Sequence, residues 1–132
     1  MISTKGRYAL RVMIDLASHE KEEGEYVPLK DIAERQCISK KYLEIIVRSL
    51  VAKNLVKGSS GKNGGYKLCR APSEYTVGEI LEATEGPIAV VACLSADAEA
   101  CPMAEHCRTL PLWTEFDKIV HDFFYTRKLS DL

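Results

Sequence analysis

No apolar run in this chain approaches the ~20 residues that a membrane-crossing helix needs. The start, Met1-Ile2-Ser3-Thr4-Lys5, lacks the apolar core of a signal peptide. A cytoplasmic protein without membrane contact is expected. There is no internal repeat and no low-complexity tract. The three histidines, His19, His106 and His121, are scattered. No nucleophile–base pairing, paired histidines or phosphate loop before a helix stands anywhere, so an enzyme is the weakest reading. The five cysteines are odd in number, and a reducing compartment disfavours structural disulfides.

What the chain does have is divided charge. Ten basic residues between Lys30 and Arg70 face only Asp31, Glu34 and Glu44, a net of about +7. From Ala71 onward four basic residues face eleven acidic ones, about −7. One part is suited to a polyanion and the other to a different task. With 132 residues and 46% apolar content, one domain with a real core is expected.

Ser3 or Thr4 can cap a first helix to about Ser18, with Ala9, Val12, Met13, Leu16 and Ala17 on its apolar face. The acidic stretch around Gly24 reads as a loop. Pro28 suits the first turn of a short helix with Leu29, Ile32 and Ala33 inward. Cys37-Ile38 interrupts it, and Ser39 caps a longer helix to about Lys53 that buries Leu43, Ile46, Val47 and Leu50. Residues 55–58 and 66–69 read as strands around the tip Gly61-Lys62-Asn63-Gly64-Gly65. Thr76 and Glu79 form a capping-box pattern for a helix ending near Gly86-Pro87. Residues 88–108 have no clear period. Pro111 opens a last helix.

Two helices joined by a tight turn and followed by a hairpin make a winged helix-turn-helix. Its second helix enters the major groove by its N-terminal end, where the helix dipole also favours phosphate. Ser39, Lys40, Lys41, Tyr42 and Glu44 sit there. The lysines can neutralise phosphates or form a solvated face. Tyr42 can donate to a phosphate or pack beneath the helix. Glu44 can accept from a cytosine amino group or face solvent. Lys62 and Asn63 are the contacts expected at the wing, although any tight turn uses glycine and asparagine. Charge, helix pair and wing together favour double-stranded DNA as partner over a protein-docking module.

Cys93, Cys101 and Cys107 fall within fifteen residues. Their gaps are wider than those of common zinc fingers, so spacing leaves metal binding and free thiols both open. A fourth ligand would come from His106, Glu105, Asp97, Glu99, another subunit or solvent. Cys37 and Cys69 look like small core residues. In the last helix Trp113, Val120 and Phe124 lie off the Leu112–Phe116–Ile119–Phe123 line. A helix apolar on two sides wants a second partner, most simply another copy.

The opening Ser3-Thr4-Lys5-Gly6-Arg7-Tyr8-Ala9 resembles that of the Rrf2 family of transcription regulators. So do Leu29-Lys30-Asp31-Ile32-Ala33-Glu34, Ser39-Lys40-Lys41-Tyr42-Leu43-Glu44, Gly64-Gly65-Tyr66 and Val77-Gly78-Glu79-Ile80. The resemblance implies a homodimer joined through the C-terminal helix. It implies an iron–sulfur cluster on Cys93, Cys101 and Cys107, as in the cluster regulator and the nitric-oxide sensor. It implies base reading by Glu44 and phosphate contacts from Lys5 and Arg7. Three positions depart from these relatives. Leu110 stands where the cluster regulator has a histidine ligand, Arg7 where the nitric-oxide sensor has an aspartate, and Ser60 where the wing usually has an arginine. A further branch, governing cysteine metabolism, has the fold but not the three cysteines.

The expectation is a mainly α winged helix-turn-helix with a long C-terminal dimerisation helix. Residues 1–86 bind DNA, 87–109 form a cysteine-bearing sensor loop and 110–132 the dimerisation helix. Operator affinity follows an iron–sulfur cluster or redox state. The alternatives are sensing through free thiols or zinc, or a protein-interaction module without DNA binding.

Overall fold

The computed structural model describes residues 2–20 and 25–132. Helix α1 spans Thr4–His19, α2 Leu29–Gln36 and α3 Lys40–Ala52. Strands β1 (Val56–Ser59) and β2 (Gly65–Leu68) follow, then α4 (Val77–Glu85) and α5 (Leu110–Thr126). The loop expected around Gly24 falls at residues outside those described.

Ser3 caps α1, its hydroxyl accepting from the Gly6 amide at 3.2 Å. Such a cap contributes about 1 kcal/mol. Ala9, Val12, Met13 and Leu16 are fully buried and join Leu43, Ile46, Val47 and Leu50 of α3 and Ile80 of α4 in one core. Ser39 caps α3 in the same manner, accepting from the Tyr42 amide at 3.2 Å.

One acid lies within the buried face of α1. Asp15 is 1% exposed. Arg35 donates to its carboxylate through Nε at 3.0 Å and Nη2 at 2.7 Å, and Gln36 through Nε2 at 2.9 Å. Arg11 in turn donates to the Gln36 side chain at 3.1 Å and to its carbonyl. These bonds fix the end of α2, and so the helix pair, on α1. Burial alone would raise the Asp15 carboxyl. The hydrogen bonds from Arg35 and Gln36, with the Arg35 charge, outweigh it and hold the group below the ordinary carboxylate range.

β1 and β2 pair antiparallel from Val56↔Leu68 to Ser59↔Gly65. Each lies one residue from its sequence-predicted position, because Gly65 extends the ladder and Cys69 leaves it. Val27 adds a short bridge to Tyr66. At the base of this wing the buried Tyr75 hydroxyl donates to the Leu55 carbonyl at 2.6 Å. It accepts from the Cys69 and Arg70 amides at 2.9 and 3.0 Å.

Thr76 caps α4, accepting from the Glu79 amide at 3.1 Å. The predicted reciprocal bond from Thr76 to the Glu79 side chain is replaced, since that carboxylate takes Arg70. Gly78 carries the ring of Tyr125 from α5, and a Cβ there would lie 2.7 Å from it. After α5 the chain turns back. The Leu129 amide donates to Tyr75 at 3.0 Å, and the Leu129 side chain enters the main core.

Cys37 and Cys69 are exposed, which corrects their assignment to the core. Cys37 occupies the left-handed residue that ends α2 (φ 53). Cys69 follows the buried Leu68, so strand alternation turns it outward.

Candidate nucleic-acid interface and cysteine segment

The start of α3 leaves Ser39, Lys40, Lys41 and Glu44 exposed, while Leu43, Ile46 and Val47 hold the helix in the core. Between α3 and the wing runs an open groove of about 840 Å³. Lys40 and Glu44 line it, joined by Arg48 one turn further along, and the wing from Gly58 to Gly61 forms the far wall. Lys30, at the start of α2, lines it as well. Lys62 and Asn63 are exposed but border a separate hollow of about 680 Å³, with Tyr26 and Glu25. Tyr42 packs beneath the helix, its ring edge-on to Tyr8 of α1 with centroids 5.8 Å apart. The beginnings of α1 and α3 therefore adjoin. Next to Tyr8, Arg7 is exposed and donates to Thr4 Oγ1 at 3.1 Å; Lys5 is half-buried.

The wing glycines divide by role. A Cβ on Gly65 (φ 152) would lie 2.2 Å from the Val27 carbonyl oxygen, and one on Gly64 2.4 Å from that of Ser59. Both are needed for the wing's own close contacts. Gly61 has open space.

Residues 87–109 are irregular, with short turns at Ala92–Leu94 and Ala104–His106. Cys93 and Cys101 are exposed and Cys107 is half-buried. Among the described residues no three histidine, cysteine or carboxylate side chains gather as a metal site. The Cys107 sulfur lies 3.4 Å from Thr109 Oγ1, just before α5. Hydrogen bonds from the Thr109 hydroxyl, then from its amide, lower the thiol below its ordinary range. The near end of the segment is tied to α5. The Val90 amide donates to Asp117 at 3.0 Å, and His121 Nε2 lies 2.6 Å from the Ile88 carbonyl.

A profile of the Rrf2 family, described as iron-dependent transcriptional regulators, matches residues 2–132. The chain belongs to the Rrf2 family. The transcriptional regulator IscR of Pectobacterium carotovorum is 35% identical to it over 131 residues, 99% of this chain and 77% of that protein. Among solved structures, CymR, the global cysteine regulator of B. subtilis, is 37% identical with a TM-score of 0.78. That match covers 99% of this chain and 94% of CymR. IscR of T. potens is 33% identical with a TM-score of 0.75, covering 99% and 84%.

This Rrf2 member is thus a winged-helix transcription regulator that binds DNA and is not an enzyme, as its sequence led us to expect. No described helix is long and apolar enough to cross a membrane. Of the residues singled out in sequence, the groove brings together Lys40 and Glu44. It leaves Lys62 and Asn63 on the wing's other side and the three cysteines ungathered. The sequence reading counted Lys30 and Arg48 in the basic stretch but assigned neither to the site. The four-residue step from Glu44 was the signal for Arg48.

Proposed function

We propose that two copies of this Rrf2 regulator pair through α5 and set their α3 helices in successive major grooves of a near-palindromic operator. The observation that carries the pairing is the unpartnered stripe of α5. Leu112, Phe116, Ile119 and Phe123 are all exposed, Ile119 at 59%, while Trp113, Val120 and Phe124 are half-buried. Residues 1–86 carry the DNA contacts, 87–109 the sensor and 110–132 the dimer helix. Lys40 and Lys41 neutralise phosphates, Ser39 and Tyr42 shape the entering helix end, and Glu44 accepts from a base. Lys62 and Asn63 act at the wing, Lys5 and Arg7 on the flanking backbone. Such a protein works in the cytoplasm.

The sensor is an iron–sulfur cluster held by Cys93, Cys101 and Cys107. The donor set fits: three thiols in one irregular segment, with Cys107 already disposed to ionise, as a metal ligand must. When bound, the cluster supplies an oxidisable centre. This chain's part is to hold it between the end of α4 and the start of α5, so that its state biases how the two α3 helices are spaced.

Protein purified without oxygen should be coloured. Its titration against duplex DNA should differ between the cluster-bearing and stripped forms, and both should weaken as salt rises. The separation of the three cysteines supports a second reading, in which Cys107 acts as a free redox-sensitive thiol. Protein that stays colourless after anaerobic treatment with iron and sulfide, yet loses DNA affinity on mild oxidation, would establish that reading instead.

A further inference from the structure

Arg48 is exposed, lines the groove between α3 and the wing, and enters none of the ion pairs among the described residues. Its neighbours in the basic stretch differ. Arg35 is bound to Asp15, and Arg70 to Glu79. Glu44 stands one helical turn before Arg48 and is likewise unpaired among the described residues. At this spacing on an exposed helix such a pair is ordinarily drawn together. Here both line one groove without meeting. Lys40, Glu44 and Arg48 succeed one another at four-residue steps, roughly 6 Å apart along the helix, so the carboxylate is bracketed by two cations. On the opposite wall Gly58–Gly61 present small side chains and backbone, with Tyr66 of β2 the large side chain beside them.

A helix in the major groove with a hairpin over the adjoining minor groove must straddle the sugar–phosphate strand between them. The groove between α3 and the wing is the path left for that strand. We propose that Arg48, with Lys30 beside the same groove, grips the phosphates of this strand. The planar guanidinium can meet two phosphate oxygens at once. The small residues Gly58–Gly61 leave the strand room beside Tyr66. Lys40 and Arg48 flank Glu44, so the strand meets two cations beside one carboxylate. This inference rests on α3 and the wing being the DNA-facing surface.

The test uses the full chain, a random-sequence duplex and a duplex pool selected on the unaltered protein, each titrated over a range of salt. Arg48→Ala should weaken binding to both duplexes by the same factor. It should also lower the slope of log affinity against log salt by about 0.9 per protomer. Arg48→Lys should keep the slope, and Lys30→Ala should lower it further when added to Arg48→Ala. Arg48 is exposed, so a circular dichroism spectrum should show these variants folded. An unchanged slope would overturn the proposal. So would a loss confined to the selected pool, which would make Arg48 a base reader. So would a polyglutamate peptide that binds the unaltered protein through Arg48 while duplex binding ignores the substitution. If the unaltered protein bound neither duplex, the DNA-facing reading of this surface would fail, and this inference with it.

Discussion

Asp15 carries a negative charge in the least exposed part of α1, and its partners set the sign of a pH effect. Its carboxyl is held below the unfolded value near 3.9. It therefore contributes stability in full above about pH 4 and loses it as pH falls through the folded value. Asp15→Asn should reduce unfolding free energy by about 1.5–3 kcal/mol at neutral pH, since hydrogen bonds to a charged group are removed. In urea titrations the difference between the two proteins should narrow below pH 4; a constant difference would contradict the assignment. On α3, Lys40 and Glu44 have separable effects. Lys40→Ala should weaken binding to every duplex, whereas Glu44→Ala should remove about 1–3 kcal/mol of discrimination at one base pair. Parallel titrations on selected and random duplexes measure both. Their positions were legible because Ser39 announces the helix start. Asp15 was not, because an acid on an apolar helix face shows no sign in sequence of the arginine twenty residues away that satisfies it.

Whole elements were read more successfully where local chemistry decides them. The spacing of Ala9, Val12, Met13 and Leu16 forces α1 into one register, and Leu43, Ile46, Val47 and Leu50 do the same for α3. The hairpin was legible from its tip, but the reason for its glycines was not. Gly65 answers to Val27, which is distant in sequence. The charge of the basic stretch overstated the DNA surface, because Arg35 and Arg70 are used within the protein. The wing depends on Tyr75, whose hydroxyl satisfies three backbone groups at the strand ends. Tyr75→Phe should lower stability by about 1–3 kcal/mol, as those groups lose a buried partner. The shift in urea midpoint measures it, and no shift would mean that water replaces the hydroxyl.

At the scale of the molecule the question is what covers α5. The proposed dimer would bury the exposed Phe116 and Ile119 stripe and bring the two readers into fixed spacing. Phe116→Asp with Ile119→Asp should give a folded monomer in sedimentation, with DNA affinity reduced by at least about tenfold, the factor for 1.4 kcal/mol. A dimer that survives both changes would place the interface elsewhere. The cysteine segment bears on how such a dimer responds to chemistry. It leaves α5 near Asp117 and His121 and rejoins it at Leu110, a bow whose two ends are knotted to one rod. Drawing sulfurs together inside that bow takes up its own slack first. What tension remains bends or turns the rod instead of tugging on α4, and in the proposed dimer that rod is the route by which the signal would reach the far half-site.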